Sequence, residues 1–137
     1  MKKQINKIYL AIPYSKIDKQ YSYELVNKAT IYFINKGNNV YSPITHTHPL
    51  VMMGLDGAWD FWAECDYQFI DWADEIVVVI PPVDNGWQLV EESVGVQAEI
   101  KYGKKTGKPV KYFDYETKIY RYCYFTFLQA SIQTVYY

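Results

Sequence analysis

The stretch "EIVVVIPP" at 75–82 decides the fold. Its centre, Ile76 to Ile80, is apolar without interruption. Side chains alternate between the two faces of a strand. A strand with no polar face is therefore covered on both sides, as a central strand of a parallel sheet is. Such a sheet needs helices between its strands to cover it.

Reading outward, the flanking segments supply both. "KIYLAI" at 7–12 is a short apolar strand ended by Pro13, "NVYSPI" at 39–44 a second closed by Pro43, and "PVKYF" at 109–113 a fourth. Between them, Tyr21, Leu25, Ala29, Tyr32 and Phe33 recur at helical spacing over 18–36, with Gly37 as the stop. Ala58, Trp62, Cys65, Phe69 and Trp72 form a second helical stripe over 56–73. A third helix is expected from Ser93 to Lys105, broken by Gly107 and Pro109. "THTHPLVMMG" at 45–54 and "VDNGWQLVEE" at 83–92 read as loops. The order βαβαβαβ predicts an α/β fold, a flavodoxin- or Rossmann-like parallel sheet with helices on both faces. Residues 1–113 are expected to form the α/β domain and 114–137 an aromatic C-terminal extension of it.

Composition bounds the partners. The chain has 137 residues, half of them apolar, with 15 tyrosines and a net charge of −1. That balance supplies no basic field for polymeric nucleic acid. No apolar run approaches the ~20 residues of a membrane span, and the apolar run in "MKKQINKIYLAIPYS" is too short for a signal peptide. Cys65 and Cys123 have neither CxxC nor zinc-finger spacing and read as free thiols. A cytoplasmic location is expected.

Ligands of such sheets sit beyond the carboxyl ends of the strands, and the chemically able residues cluster there. Tyr14 and Ser15 follow the first strand. His46 and His48 follow the second; the HxH pair has no evident third ligand, so neither a metal nor a cofactor is expected, and His46 is a candidate substrate contact. Trp87, beside Gly86, could stack on a flat ring of a ligand. Most pointed is "SVGVQAEI" at 93–100. A helix starting at Ser93 carries Glu99 about a turn and two-thirds in, leaning back over Gly95, where a missing side chain leaves room. Ser93 is equally an ordinary N-cap, and a helical glutamate is ordinarily a solvated acid. Asp66 lies on the edge of the second stripe, and Asp60, Asp71 and Asp74 read as surface or capping groups.

"IYLAIPYS", "CDYQFIDWADEIVVVI" and "SVGVQAEIKYGKKTGKPVKYF" together resemble the nucleoside 2-deoxyribosyltransferase superfamily over 7–113. Within it the chain is similar to the small phage and bacterial proteins of the DUF1937 type and to nucleoside 5′-monophosphate N-glycosidases. The resemblance implies cleavage of, or transfer across, the N-glycosidic bond of a nucleoside or nucleotide. It makes Glu99 the nucleophile toward the anomeric carbon, Asp66 the acid that meets the base, and Tyr9 a tyrosine beside the nucleophile. It places Ser93 where relatives acting on free nucleosides carry aspartate and relatives acting on 5′-monophosphates carry serine. The alternative is a non-catalytic nucleotide-binding protein of the same fold. The 114–137 tail holds eight Tyr and Phe residues, too much apolar surface for water, and a homodimer or higher homo-oligomer is expected.

Overall fold

The structure, a computed structural model, describes residues 3–121 and 134–136. Strands β1 (Lys7–Ala11), β2 (Asn39–Tyr41), β3 (Glu75–Ile80) and β4 (Val110–Asp114) are parallel, and β5 (Ile119–Arg121) and β6 (Thr134–Tyr136) add to them antiparallel. The order across the sheet is β2-β1-β3-β4-β5-β6. Strand β1 thus lies between β2 and β3, so the chain reverses its direction of travel across the sheet at β1.

Every residue of β3 is buried, as its unbroken apolar run predicts. Alternation splits β1 and β3 between two cores. Ile8, Leu10, Val77 and Val79 meet Leu25, Val26, Ala29 and Phe33 of helix α1 (Lys19–Asn35). Tyr9, Ala11, Ile76 and Val78 meet Ile70 of α3 (Trp59–Trp72), Val90 of α4 (Gly86–Glu92) and Val96 and Ile100 of α5 (Val94–Lys105). Asp18 caps α1 by accepting from Tyr21 N at 2.8 Å, and Gly37 ends the helix at φ +95°. That conformation suits glycine.

Three expectations are corrected. The second strand stops at Tyr41, and the segment expected as a loop is helix α2 (Pro43–Met52). Ser42 caps it, accepting from Thr45 N at 3.3 Å, and Pro43 sits in its first turn, where no N–H is needed. Pro43 therefore opens a helix as well as closing a strand. The segment 83–92 contains α4, a short helix that buries Leu89 and Val90. On α3 the buried line is Asp66, Ile70 and then Ala73, while Ala58 and Trp72 of the expected stripe are exposed. The apolar pattern missed this line because its first member is a carboxylate.

No helix among the described residues is long and apolar enough to cross a membrane. Residues 122–133 and 137, with most of the expected aromatic tail, lie outside the described residues.

Candidate active site

Tyr9 and Tyr41 are partners in the β1–β2 register, so their side chains leave the same face of the sheet with ring centroids 6.1 Å apart. Helices α3 and α5 cover that face and bring in Asp66 and Glu99, each only 5% exposed. Among the described residues, four buried side-chain atoms lack a hydrogen-bond partner: Tyr9 Oη, Tyr41 Oη, Asp66 Oδ1 and Glu99 Oε2. Buried polar groups are ordinarily satisfied, and one left unpaired costs on the order of 1–3 kcal/mol. Orphans gathered in one cluster mark a place where a ligand supplies the missing partners.

Burial pushes the Asp66 carboxyl up to about 7. Burial pushes Glu99 up to about 8, opposed by the Tyr9 hydroxyl and reinforced by the charge of Asp66. Tyr9 Oη thus comes near enough to Glu99 to favour the carboxylate, yet no hydrogen bond of ordinary length closes between them. The Tyr9 and Tyr41 hydroxyls are both raised, first by burial and then by the neighbouring carboxyls. The two carboxyls titrate as a pair, and near neutral pH such a pair holds a proton that isolated carboxyls would have lost.

Asp66 and Glu99 open onto a pocket of about 300 Å³, of the size that takes small organic ligands. Its walls are the segment after β1 (Ile12, Tyr14, Ser15), the start of α2, the start of α3 and the start of α5. All lie at the carboxyl ends of the strands beside β1, where the fold predicts a ligand. Ser93 lines the pocket and caps α5, accepting from Val96 N at 3.2 Å. A Cβ on Gly95 would lie 3.3 Å from Trp59 Cε3 and 3.8 Å from Glu99 Oε1. Gly95 therefore leaves space beside the carboxylate, as expected, and Trp59 closes one side of it.

Of the residues singled out from the sequence, Glu99, Asp66, Ser93, Gly95, Tyr14 and Ser15 meet at this pocket, with Tyr9 behind Glu99. Two do not join them. His46 is not in the pocket lining and meets Trp62, which is, edge-on at 5.9 Å. Trp87 lies in α4 and packs against Tyr112 at 5.6 Å between centroids. Both expectations placed these residues in loops that are helices, and a helix fixes which way each side chain points. Tyr41, Trp59 and Trp62 were missed. Tyr41 could be found only through its register with Tyr9, Trp62 belongs to the stripe expected to face the core, and a tryptophan at a helix start such as Trp59 is ordinarily core. Among the described residues, no cluster of three or more His, Cys, Asp or Glu side chains could hold a metal ion.

A family model described as Domain of unknown function (DUF1937) matches residues 6–115. Among solved structures, a 2-deoxyribosyltransferase from the psychrotolerant bacterium Bacillus psychrosaccharolyticus is similar, with a TM-score of 0.56 and 28% identity. That match covers 79% of this chain and 72% of the other. No curated protein matches the chain.

Proposed function

Since the chain belongs to the DUF1937 family, within the nucleoside 2-deoxyribosyltransferase-like superfamily, we propose that it cleaves the N-glycosidic bond of (deoxy)nucleoside 5′-monophosphates, with Glu99 as nucleophile. The observation that carries this reading is the buried Glu99–Asp66 pair, each with an oxygen lacking a partner, at the floor of a ligand-sized pocket.

N-glycoside cleavage develops positive charge at the anomeric carbon, as O-glycoside cleavage does, and a pair of carboxyls serves it. The Glu99 carboxylate attacks that carbon and the C–N bond breaks. Its electron pair goes to the base nitrogen, which takes the Asp66 proton directly or through a neighbouring ring atom. Water or a second base then displaces Glu99 from the sugar, completing hydrolysis or transfer. The reactive form carries one proton on the pair, held by Asp66. A Tyr9 hydroxyl donating to Glu99 favours its carboxylate form and so leaves that proton to Asp66. A protein that only captured a nucleotide would gain nothing from burying a carboxylate pair with unpaired oxygens.

The phosphate preference rests on the start of α5. Gln97 N makes the first intrahelical bond, to Ser93 O at 3.0 Å, so the Val94 and Gly95 amides have no partner within the helix. They and the Ser93 hydroxyl can donate to an anion at the positive end of the helix dipole. One observation favours a second reading, a neutral nucleoside: no lysine or arginine lines the pocket among the described residues.

The test is incubation with nucleosides and their 5′-monophosphates, monitored for free base. Base release is expected from the parent protein and none from a folded Glu99→Ala protein. Unchanged turnover in folded Glu99→Ala would sink the nucleophile assignment.

A further inference from the structure

A chain of polar contacts runs from the pocket wall to the surface of α1. Tyr14 Oη lies 2.6 Å from His48 Nδ1, and His48 Nε2 lies 3.1 Å from Gln20 Oε1. Gln20 Nε2 donates to Glu24 Oε1 at 3.0 Å. The direction of the chain follows from its far end. A carboxylate only accepts, so Gln20 turns its amide nitrogen to Glu24 and its oxygen to His48. The histidine nitrogen facing that oxygen carries the hydrogen. The neutral ring then has its lone pair at Nδ1, and the Tyr14 hydroxyl donates to it. The ring is held in this pose: His48 is 3% exposed and stacks on Tyr23 at 4.5 Å between centroids.

With its hydrogen committed to His48, Tyr14 can offer the pocket only oxygen lone pairs. It accepts and does not donate. We propose that Tyr14 recognises the substrate by accepting a hydrogen bond from a sugar hydroxyl, and that His48 is the positioning residue that fixes this polarity. The inference rests on the reading above that the pocket takes nucleosides or nucleotides. The sugar, and not the base, belongs at Tyr14 because polar side chains adjoin it. Ser15 is its neighbour, and Lys16 bridges at 3.6 Å to Glu92, adjacent to Ser93. Trp59, Trp62, Pro43 and Ile44 give the pocket apolar surface of its own, which suits the flat faces of a base. A phosphate would meet Tyr14 lone pair against lone pair, so the partner is a hydroxyl. An acceptor facing a sugar that lacks the hydroxyl is left unpaired, which costs about tenfold in affinity at a half-buried site.

The experiment is calorimetric binding in a Glu99→Gln background, which removes turnover from the reading. The probes are a 2′-deoxynucleoside and its 3′-deoxy and 5′-deoxy counterparts. One counterpart is expected to bind about tenfold more weakly than the parent nucleoside, and its identity names the hydroxyl. Adding Tyr14→Phe should abolish the difference by weakening only the probes that carry that hydroxyl. His48→Leu should shrink it, because the Tyr14 hydroxyl is no longer held in one orientation, whereas His48→Asn keeps an acceptor near the Nδ1 position and should retain it. Thermal unfolding of each variant shows that it is folded. Equal binding of all three probes, a difference that survives Tyr14→Phe, or no binding of any probe would overturn the proposal. Discrimination without base release by the parent protein would overturn the glycosidase reading and leave this one standing.

Discussion

Burial raises the Glu99 carboxyl to about 8, and that has a consequence for stability. Its folded value lies above the 4.5 of an ordinary glutamate, so the folded state binds protons that the unfolded chain has released. The stabilisation is complete below about 4.5 and is lost as pH rises through about 8. Glu99→Gln cannot ionise, so its stability should gain on the parent's as pH rises from about 5 to about 8, by on the order of 1 kcal/mol per pH unit. A difference that stays constant across that range, measured by thermal unfolding, would mean that Glu99 ionises freely. Ser93 supports a second prediction at this scale. Aspartate caps helices as well as serine does, so Ser93→Asp should fold normally while setting a negative charge against a 5′-phosphate. Losing a charge-assisted bond costs about 1.5–3 kcal/mol. The ratio of kcat/KM for a 5′-monophosphate over its nucleoside should fall about ten- to a hundredfold. A ratio that does not move would leave Ser93 with capping alone.

Among the elements, α4 is the one the sequence hid best, because a glycine opens it and two glutamates close it. Its first residue explains the glycine. A Cβ on Gly86 would come 2.2 Å from the Pro81 carbonyl oxygen, a backbone atom that cannot step aside cheaply. Gly86→Ala should therefore cost about 1–3 kcal/mol, read as a lower denaturation midpoint, and it should disturb the chain leading into Ser93. A variant as stable as the parent would show that α4 is free to shift. Helix α3 is anchored differently. Lys108, in the turn after α5, donates from Nζ to the carbonyls of Asp71 at 3.0 Å and Ala73 at 2.6 Å. A cation thereby satisfies the acceptors at the helix C-terminus, where it is electrostatically favoured. That contact ties the end of α3 to the end of α5, the two helices that carry Asp66 and Glu99.

For the whole molecule, the sheet order places the pocket. Since β2 and β3 flank β1, the connections leave its two sides in opposite directions and open a crevice at its carboxyl end. The tail beyond β4 begins by extending the sheet as antiparallel β5, with β6 paired to it. The eight Tyr and Phe residues of 114–137 supply more apolar area than the edge of one sheet is expected to cover. We expect a homodimer or larger assembly, seen by sedimentation at tens of micromolar, a range that ordinary weak-dimer affinities reach. A monomer at that concentration would refute it.

The sequence by itself determined the parallel strands, helices α1 and α5, the cap at Ser93 and the clearance at Gly95. Each is written in contacts a few residues apart: an unbroken apolar run, a helical period, a hydroxyl three positions before the amide it accepts from. Only the tertiary structure decided that Asp66 faces inward, that Tyr41 stands beside Tyr9, that His46 and Trp87 turn elsewhere, and that Tyr14 binds His48. Those relations depend on strand order and register, which local propensity does not encode. A buried carboxylate also breaks the hydrophobic pattern by which a buried face is recognised. Its burial is made tolerable only by the rest of the fold, and so only the fold discloses it.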